Sequence, residues 1–130
     1  RILLRGLEWT VYLSSLSNLD YDLCRSSWVA DYNDPNTFLN MFVTGDGNNR
    51  TGWSRKDYDR LIELAASETD PQRRFSRFHE AETILVDTDP PICPLFYWVG
   101  IQFYDANRLA GITPNLLDEH PLRFIHWKKR

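Results

Sequence analysis

The sequence predicts an α/β fold in which a mixed sheet is flanked by helices, and three observations carry that prediction. Residues Tyr21 to Ala30 read as an extended strand that runs straight into a helix-start signal at Asp34-Pro35. Two amphipathic helical patterns follow one another between Ser54 and Asp89 and suit a cover for one side of a sheet. Further on, the unbroken run Leu95-Phe96-Tyr97-Trp98-Val99 reads as a strand buried on both faces.

Taken in order, residues 2–4 suggest a short strand. Glu8 to Leu16 suggest a helix, with Trp9, Tyr12, Leu13 and Leu16 at i, i+3, i+4 and i+7 forming a core stripe. Within the 21–30 strand, Tyr21, Leu23, Arg25, Ser27 and Val29 share one face, and Asp22, Cys24, Ser26, Trp28 and Ala30 the other. Neither face is cleanly polar or apolar, which suits a strand beside a cleft. Asp34 has a structural role as a cap, because its side chain can accept orphan N–H groups while Pro35 supplies a helical φ. Asp31 has no such role. A carboxylate at a strand end beside Trp28 is placed to meet a cationic group, although spacing alone favours a solvated turn aspartate.

The stretch Gly45-Asp46-Gly47-Asn48-Asn49-Arg50-Thr51-Gly52 is the richest in turn residues. It lacks the alternate ligands and closing glutamate of a calcium loop, and the Gly-Lys-Ser/Thr of a phosphate loop. It reads as a surface loop near a cleft mouth, from which Asn48, Asn49 or Trp53 could reach a ligand. Ser54-Arg55-Lys56-Asp57 looks like a helix cap ahead of a buried stripe of Tyr58, Leu61, Ile62 and Ala65. Asp70-Pro71 starts the next helix, with Phe75, Phe78, Ala81 and Leu85 on its inner side and His79 at its boundary. Asp89-Pro90-Pro91 stops that helix, and Ile92 to Tyr104 supplies a strand or strand pair. Leu122 to Trp127 alternates like a final strand.

At 130 residues the chain supports about one modest core. Its net charge of −3, with a single basic cluster at Lys128-Lys129-Arg130, argues against a nucleic-acid or membrane-surface footprint. No apolar run reaches membrane-spanning length. Aromatic residues make up 14%, a share that fits a cleft which must be apolar yet still form hydrogen bonds. Cys24 and Cys93 could pair or remain two buried thiols, and the second reading is favoured. His79, His120 and His126 are not at metal-ligand spacing, and no cofactor is expected.

Four passages carry a resemblance. They are Trp28-Val29-Ala30-Asp31-Tyr32-Asn33-Asp34-Pro35 with Phe38-Leu39-Asn40; Asn48-Asn49 through Trp53 to Tyr58-Asp59-Arg60-Leu61-Ile62; Asp70-Pro71-Gln72-Arg73-Arg74 with Ala81-Glu82 and Leu85; and Asp89-Pro90-Pro91-Ile92-Cys93-Pro94-Leu95-Phe96-Tyr97. In order and spacing they resemble the C-terminal part of the oligopeptide-binding proteins of bacterial ABC importers, the extracellular solute-binding proteins of family 5. The resemblance implies one lobe of a periplasmic-binding-protein-like type II fold. Residues 1–113 would form part of the C-terminal ligand-binding lobe, and residues 114–130 a segment returning toward a missing N-terminal lobe of the same polypeptide.

It further implies a solute receptor rather than an enzyme, periplasmic or otherwise extracytoplasmic, with or without a lipid anchor. Such a receptor captures a peptide ligand between two lobes and delivers it to ABC permease subunits in the membrane. By the same resemblance Asp31 receives the ligand's α-amino group, flanked by Trp28 and Tyr32. The main chain at Ser27 and Val29 pairs with the extended peptide, and Arg25 meets a C-terminal carboxylate. Ser27 and Val29 stand where peptide-binding members can have glycine and cysteine, a change expected to alter pocket shape more than binding mode. Other members take dipeptides, nickel complexes, haem or opines; Asn33, where many dipeptide and nickel members carry proline, leans toward oligopeptides. A carbohydrate-binding module using Trp28, Trp53 and Trp98 is a more remote alternative. A hydrolase pairing Asp31 with Asp34 is another, weakened by the capping role of Asp34.

Overall fold

The computed structural model describes residues 2–115 and 117–129. Two compact units follow one another along the chain, Arg1–Pro94 and Leu95–Arg130. The lobe boundary expected at residue 113 falls inside the second unit.

The first unit is helical. Helix α1, Trp9–Ser17, begins where the Glu8 carboxylate accepts the N–H groups of Thr10 (2.9 Å) and Val11 (3.4 Å). The predicted stripe is only partly buried. Leu16 is covered, whereas Trp9 is 67% exposed and stacks on Tyr12 at 5.5 Å. The strand expected at residues 2–4 is absent, and Ile2, Leu3 and Leu4 are exposed.

The core belongs to a helical hairpin. Helices α3, Lys56–Ser67, and α4, Pro71–Thr83, follow the one-turn helix α2, Asn36–Leu39, and pack together. Tyr58, Ile62 and Ala65 of α3 meet Phe78 and Ala81 of α4, with Leu39 and Leu85 completing the cluster. Fully burying an aliphatic or aromatic side chain contributes about 1.5–3 kcal/mol. The one hydroxyl inside is satisfied, because the Tyr58 phenol donates to the Leu39 carbonyl at 2.6 Å. Phe75, expected on the inner side, faces solvent.

The caps are partly as expected. Asp70 accepts the Arg73 N–H at 2.8 Å, with Pro71 at the first helical position. Ser54 does not cap α3; its hydroxyl is taken by Thr44 (2.9 Å), and Asp57 turns to Arg55 through two bonds of 2.8 and 3.0 Å. At the other end α4 widens into a π-type turn, Ile84–Thr88, closed by the Asp89 N–H on the Ile84 carbonyl at 3.1 Å. Pro90 and Pro91 prevent its continuation.

The predicted strands are largely missing. The chain bends at Asp22 and Leu23, and only Cys24–Ala30 runs on without a bend; neither it nor Ile92–Tyr104 pairs with anything among the described residues. The mixed sheet is therefore not formed among the described residues: an extended segment becomes a strand only when another segment supplies its hydrogen-bond partners. The burial expected for the aromatic run fails for the same reason, with Tyr97 92% exposed. Cys24 is half-buried and Cys93 exposed, both as free thiols, so the expectation of two buried thiols holds only in part.

In the second unit one small sheet forms. Strands β1, Leu109–Ala110, and β2, His126–Trp127, pair antiparallel, with Leu109 opposite Trp127. Only these last two residues of the predicted 122–127 strand are paired; Leu122–Phe124 is a 3₁₀ turn. Gly111, at φ +88°, lies against the Phe124 carbonyl, a position that a side chain would obstruct. Arg130, the end of the basic run, lies outside the described residues. No helix among the described residues is long and apolar enough to cross a membrane.

Candidate functional site

The elbow between the extended segment and α2 gathers the polar groups singled out by sequence. Upstream, the Tyr12 hydroxyl of α1 donates to the Arg25 carbonyl at 3.0 Å and fixes the start of the extended segment. From Ser26 to Ala30 the main chain makes no hydrogen bond among the described residues. It is an unpaired edge, open to a further strand.

At the elbow the chain turns back on itself. The Asp31 N–H donates to the Thr37 hydroxyl at 3.1 Å, and the Asp34 N–H to the Tyr32 carbonyl at 3.0 Å. Thr37 is 6% exposed, so this contact anchors the Asp31 backbone to a buried side chain. Across the turn the Asn36 amide donates to the Tyr32 hydroxyl at 3.2 Å. The Asn36 Oδ1 is buried without a partner among the described residues.

Asp34 is fully engaged. Its Oδ1 accepts the Asn36 N–H at 2.9 Å, as a residue at a helix start does. Both of its oxygens also receive the Arg74 guanidinium, at 2.6 and 2.9 Å. The Arg74 hydrogen bonds hold the Asp34 carboxyl below the usual carboxylate range, and Asp34 in turn raises Arg74. The Asp31 carboxylate makes no hydrogen bond or ion pair among the described residues and stays exposed. An acid and base pair built on Asp31 and Asp34 fits this geometry poorly, since Asp34 has no oxygen free of protein donors.

A shallow depression of about 110 Å³ opens at the elbow, with Trp28, Asp31 and Tyr32 facing Asn36, Thr37 and Asn48. Three of the six residues predicted to bind ligand thus share one surface. Arg25, Ser27 and Val29 do not line it and lie exposed along the extended segment. Binding pockets for small molecules are typically about 300–1,000 Å³, so this surface is at most a portion of one.

Of the loop residues expected near ligand, only Asn48 reaches the depression. The Asn49 amide instead holds the loop together, donating to the carbonyls of Phe42 (3.0 Å), Val43 (3.2 Å) and Trp53 (2.9 Å). The Trp53 indole donates to Asp89 at 3.0 Å while its ring meets Tyr58 edge-on. Both residues are structural. Sequence reasoning missed Asn36 and Thr37, although both follow directly on the Asp34-Pro35 helix signal. It also missed Arg74, whose partner lies forty residues away.

No family model matches the chain. Similarity to individual proteins is clear, however. The chain is 37% identical over 96% of its length to a dipeptide-binding protein, DppE, of Bacillus subtilis, of which it covers 22%. It is 34% identical over 82% of its length to the oligopeptide-binding protein OppA of the same organism, covering 20%. Among solved structures, Listeria monocytogenes OppA bound to peptide superimposes with a TM-score of 0.57 at 38% identity, covering 65% of this chain and 15% of that one. The chain thus spans about a fifth of the length of the relatives it matches, and over that span it is similar to peptide-binding proteins of the extracellular solute-binding family 5.

Proposed function

We propose that the chain is part of the solute-binding component of an ABC transporter, which captures short peptides between two lobes for import. The observation that carries this reading is the contrast at the elbow: Asp34 is bound by Arg74 and Asn36, while among the described residues Asp31 presents an unpaired carboxylate beside Trp28 and Tyr32. An exposed anion flanked by aromatic rings suits the α-amino group of a peptide. The unpaired main chain at Ser27 and Val29 suits the peptide backbone, which adds as a strand and so tolerates many side chains. Arg25 lies further along the same edge, where it would receive a carboxylate in bidentate geometry.

The small volume of the depression is the reason for invoking a second surface. In this reading residues 1–113 belong to the C-terminal lobe, and residues 114–130 return toward an N-terminal lobe that supplies the other wall. Closure is a hinge motion driven by a ligand that touches both halves. Permease subunits in the membrane then receive the ligand, which places the receptor outside the cytoplasm. The component binds and releases; it carries out no chemistry.

The test is calorimetric, on the full-length polypeptide that contains this chain. A tripeptide with a free amino terminus should bind, and Asp31→Ala should weaken it by about 2–5 kcal/mol, the usual cost of truncating one partner of a water-shielded charge pair. N-acetylation of the same tripeptide should cost a similar amount. Equal binding of free and acetylated forms would reject the reading.

A further inference from the structure

We infer that Arg74, on α4, is a positioning residue for ligand capture: acting through Asp34, it fixes the elbow so that Asp31 is the only unpaired carboxylate there. The inference rests on the reading of Asp31 as the acceptor of the ligand's amino group.

The guanidinium is held on three sides. Two of its nitrogens bind Asp34 at 2.6 and 2.9 Å, its Nε donates to the Ala65 carbonyl of α3 at 3.2 Å, and its plane lies 4.6 Å from the centroid of the Phe78 ring. It is therefore referenced to the helical hairpin, the best-packed part of the chain. Asp34 carries that reference into the elbow. Its carboxylate also takes the Asn36 N–H, its carbonyl takes the Thr37 N–H at 3.2 Å, and Thr37 in turn holds the Asp31 N–H. Helix α2 has four residues and is too short to hold its own shape. Leu39 ties the end of α2 to the core through the Tyr58 phenol, and the ion pair from α4 ties its start, so that the two together orient Thr37 and with it Asp31.

The pair also acts on charge. Two carboxylates three residues apart would offer a cationic ligand two competing positions. Arg74 neutralises one of them, and its bidentate fork with the Asn36 N–H takes three of that carboxylate's roughly four acceptor positions, leaving Asp34 much the poorer partner for an ammonium group. One register of the peptide is then favoured over another.

The experiment measures a free-amine tripeptide binding to the full-length polypeptide and to its Arg74→Met, Arg74→Lys, Asp31→Ala and Asp31→Ala/Arg74→Met variants. Arg74→Met should weaken binding about tenfold or more, within the range of coupling inside one hydrogen-bonded network. Arg74→Lys, which keeps the charge but loses the two-pronged fork on Asp34, should recover only part of that loss. In the Asp31→Ala background the Arg74→Met change should add less than about twofold, because its route to the ligand is gone. The same loss in both backgrounds, or no loss in either, would overturn the positioning role. Wild-type affinity in Asp31→Ala would instead reject Asp31 itself, and the positioning role with it.

Discussion

The helical hairpin of α3 and α4 and the extended run Leu95–Tyr104 draw on the same kinds of residue, large aliphatic and aromatic side chains. In the hairpin they are buried: Tyr58, Ile62, Phe78 and Leu85 are all within 3% of full burial. In the extended run they are bare, with Tyr97 and Phe103 the most exposed. The difference lies in the backbone. A helix satisfies its N–H and C=O groups within one segment, so two amphipathic helices need only each other to bury their stripes. An extended segment leaves all of its N–H and C=O groups facing sideways, alternately to either edge, and needs a neighbour before its side chains can be covered. Apolar content therefore predicts burial only where the hydrogen-bond partners are also at hand.

The largest test of that contrast is a pair of truncations in the 130-residue chain. Phe78→Ala removes a ring from the centre of the hairpin core and should cost about 3–5 kcal/mol in urea unfolding. Tyr97→Ala, in the extended run, should lie within about 0.5 kcal/mol of the parent, because an exposed ring loses little. A comparable loss at both positions would mean that the extended run is packed in solution. Asp70→Ala comes next. Loss of the α4 cap should cost about 1 kcal/mol, and Asp70→Asn, which keeps an acceptor, much less.

A smaller effect should appear with pH. Because the folded pKa of Asp34 is lowered by Arg74, its contribution to stability is complete above the ordinary carboxylate value of about 4 and is lost as pH falls through the lower folded value. Unfolding midpoints of the parent and Asp34→Asn should therefore differ at neutral pH and converge in acid. A difference that stayed constant from about pH 6 to pH 3 would show that Arg74 does not recognise the charge of Asp34.

How much of this was legible in the sequence follows the same division. The α3 stripe, the Asp70-Pro71 start and the stop at Asp89-Pro90 are local signals, and each appears in the structure. The elbow was legible too, down to the proximity of Trp28, Asp31 and Tyr32. The strands were overestimated because their pattern says that a residue can pair, not that a partner is present. Periodicity places Trp9 in the core, yet α1 contributes only Leu16 as a buried residue. The Arg74–Asp34 pair was invisible because forty residues separate its members and neither motif announces the other.

The central claim is that these residues supply one wall of a two-walled peptide site. The most direct measurement is calorimetry of one free-amine tripeptide titrated into residues 1–130 alone and into the full-length polypeptide. Micromolar binding to the full-length polypeptide, about −8 kcal/mol, is expected, and none tighter than millimolar to residues 1–130, which in the proposed reading supply only one wall. Micromolar binding by residues 1–130 alone would contradict it, and would mean that the elbow holds its ligand without a second wall.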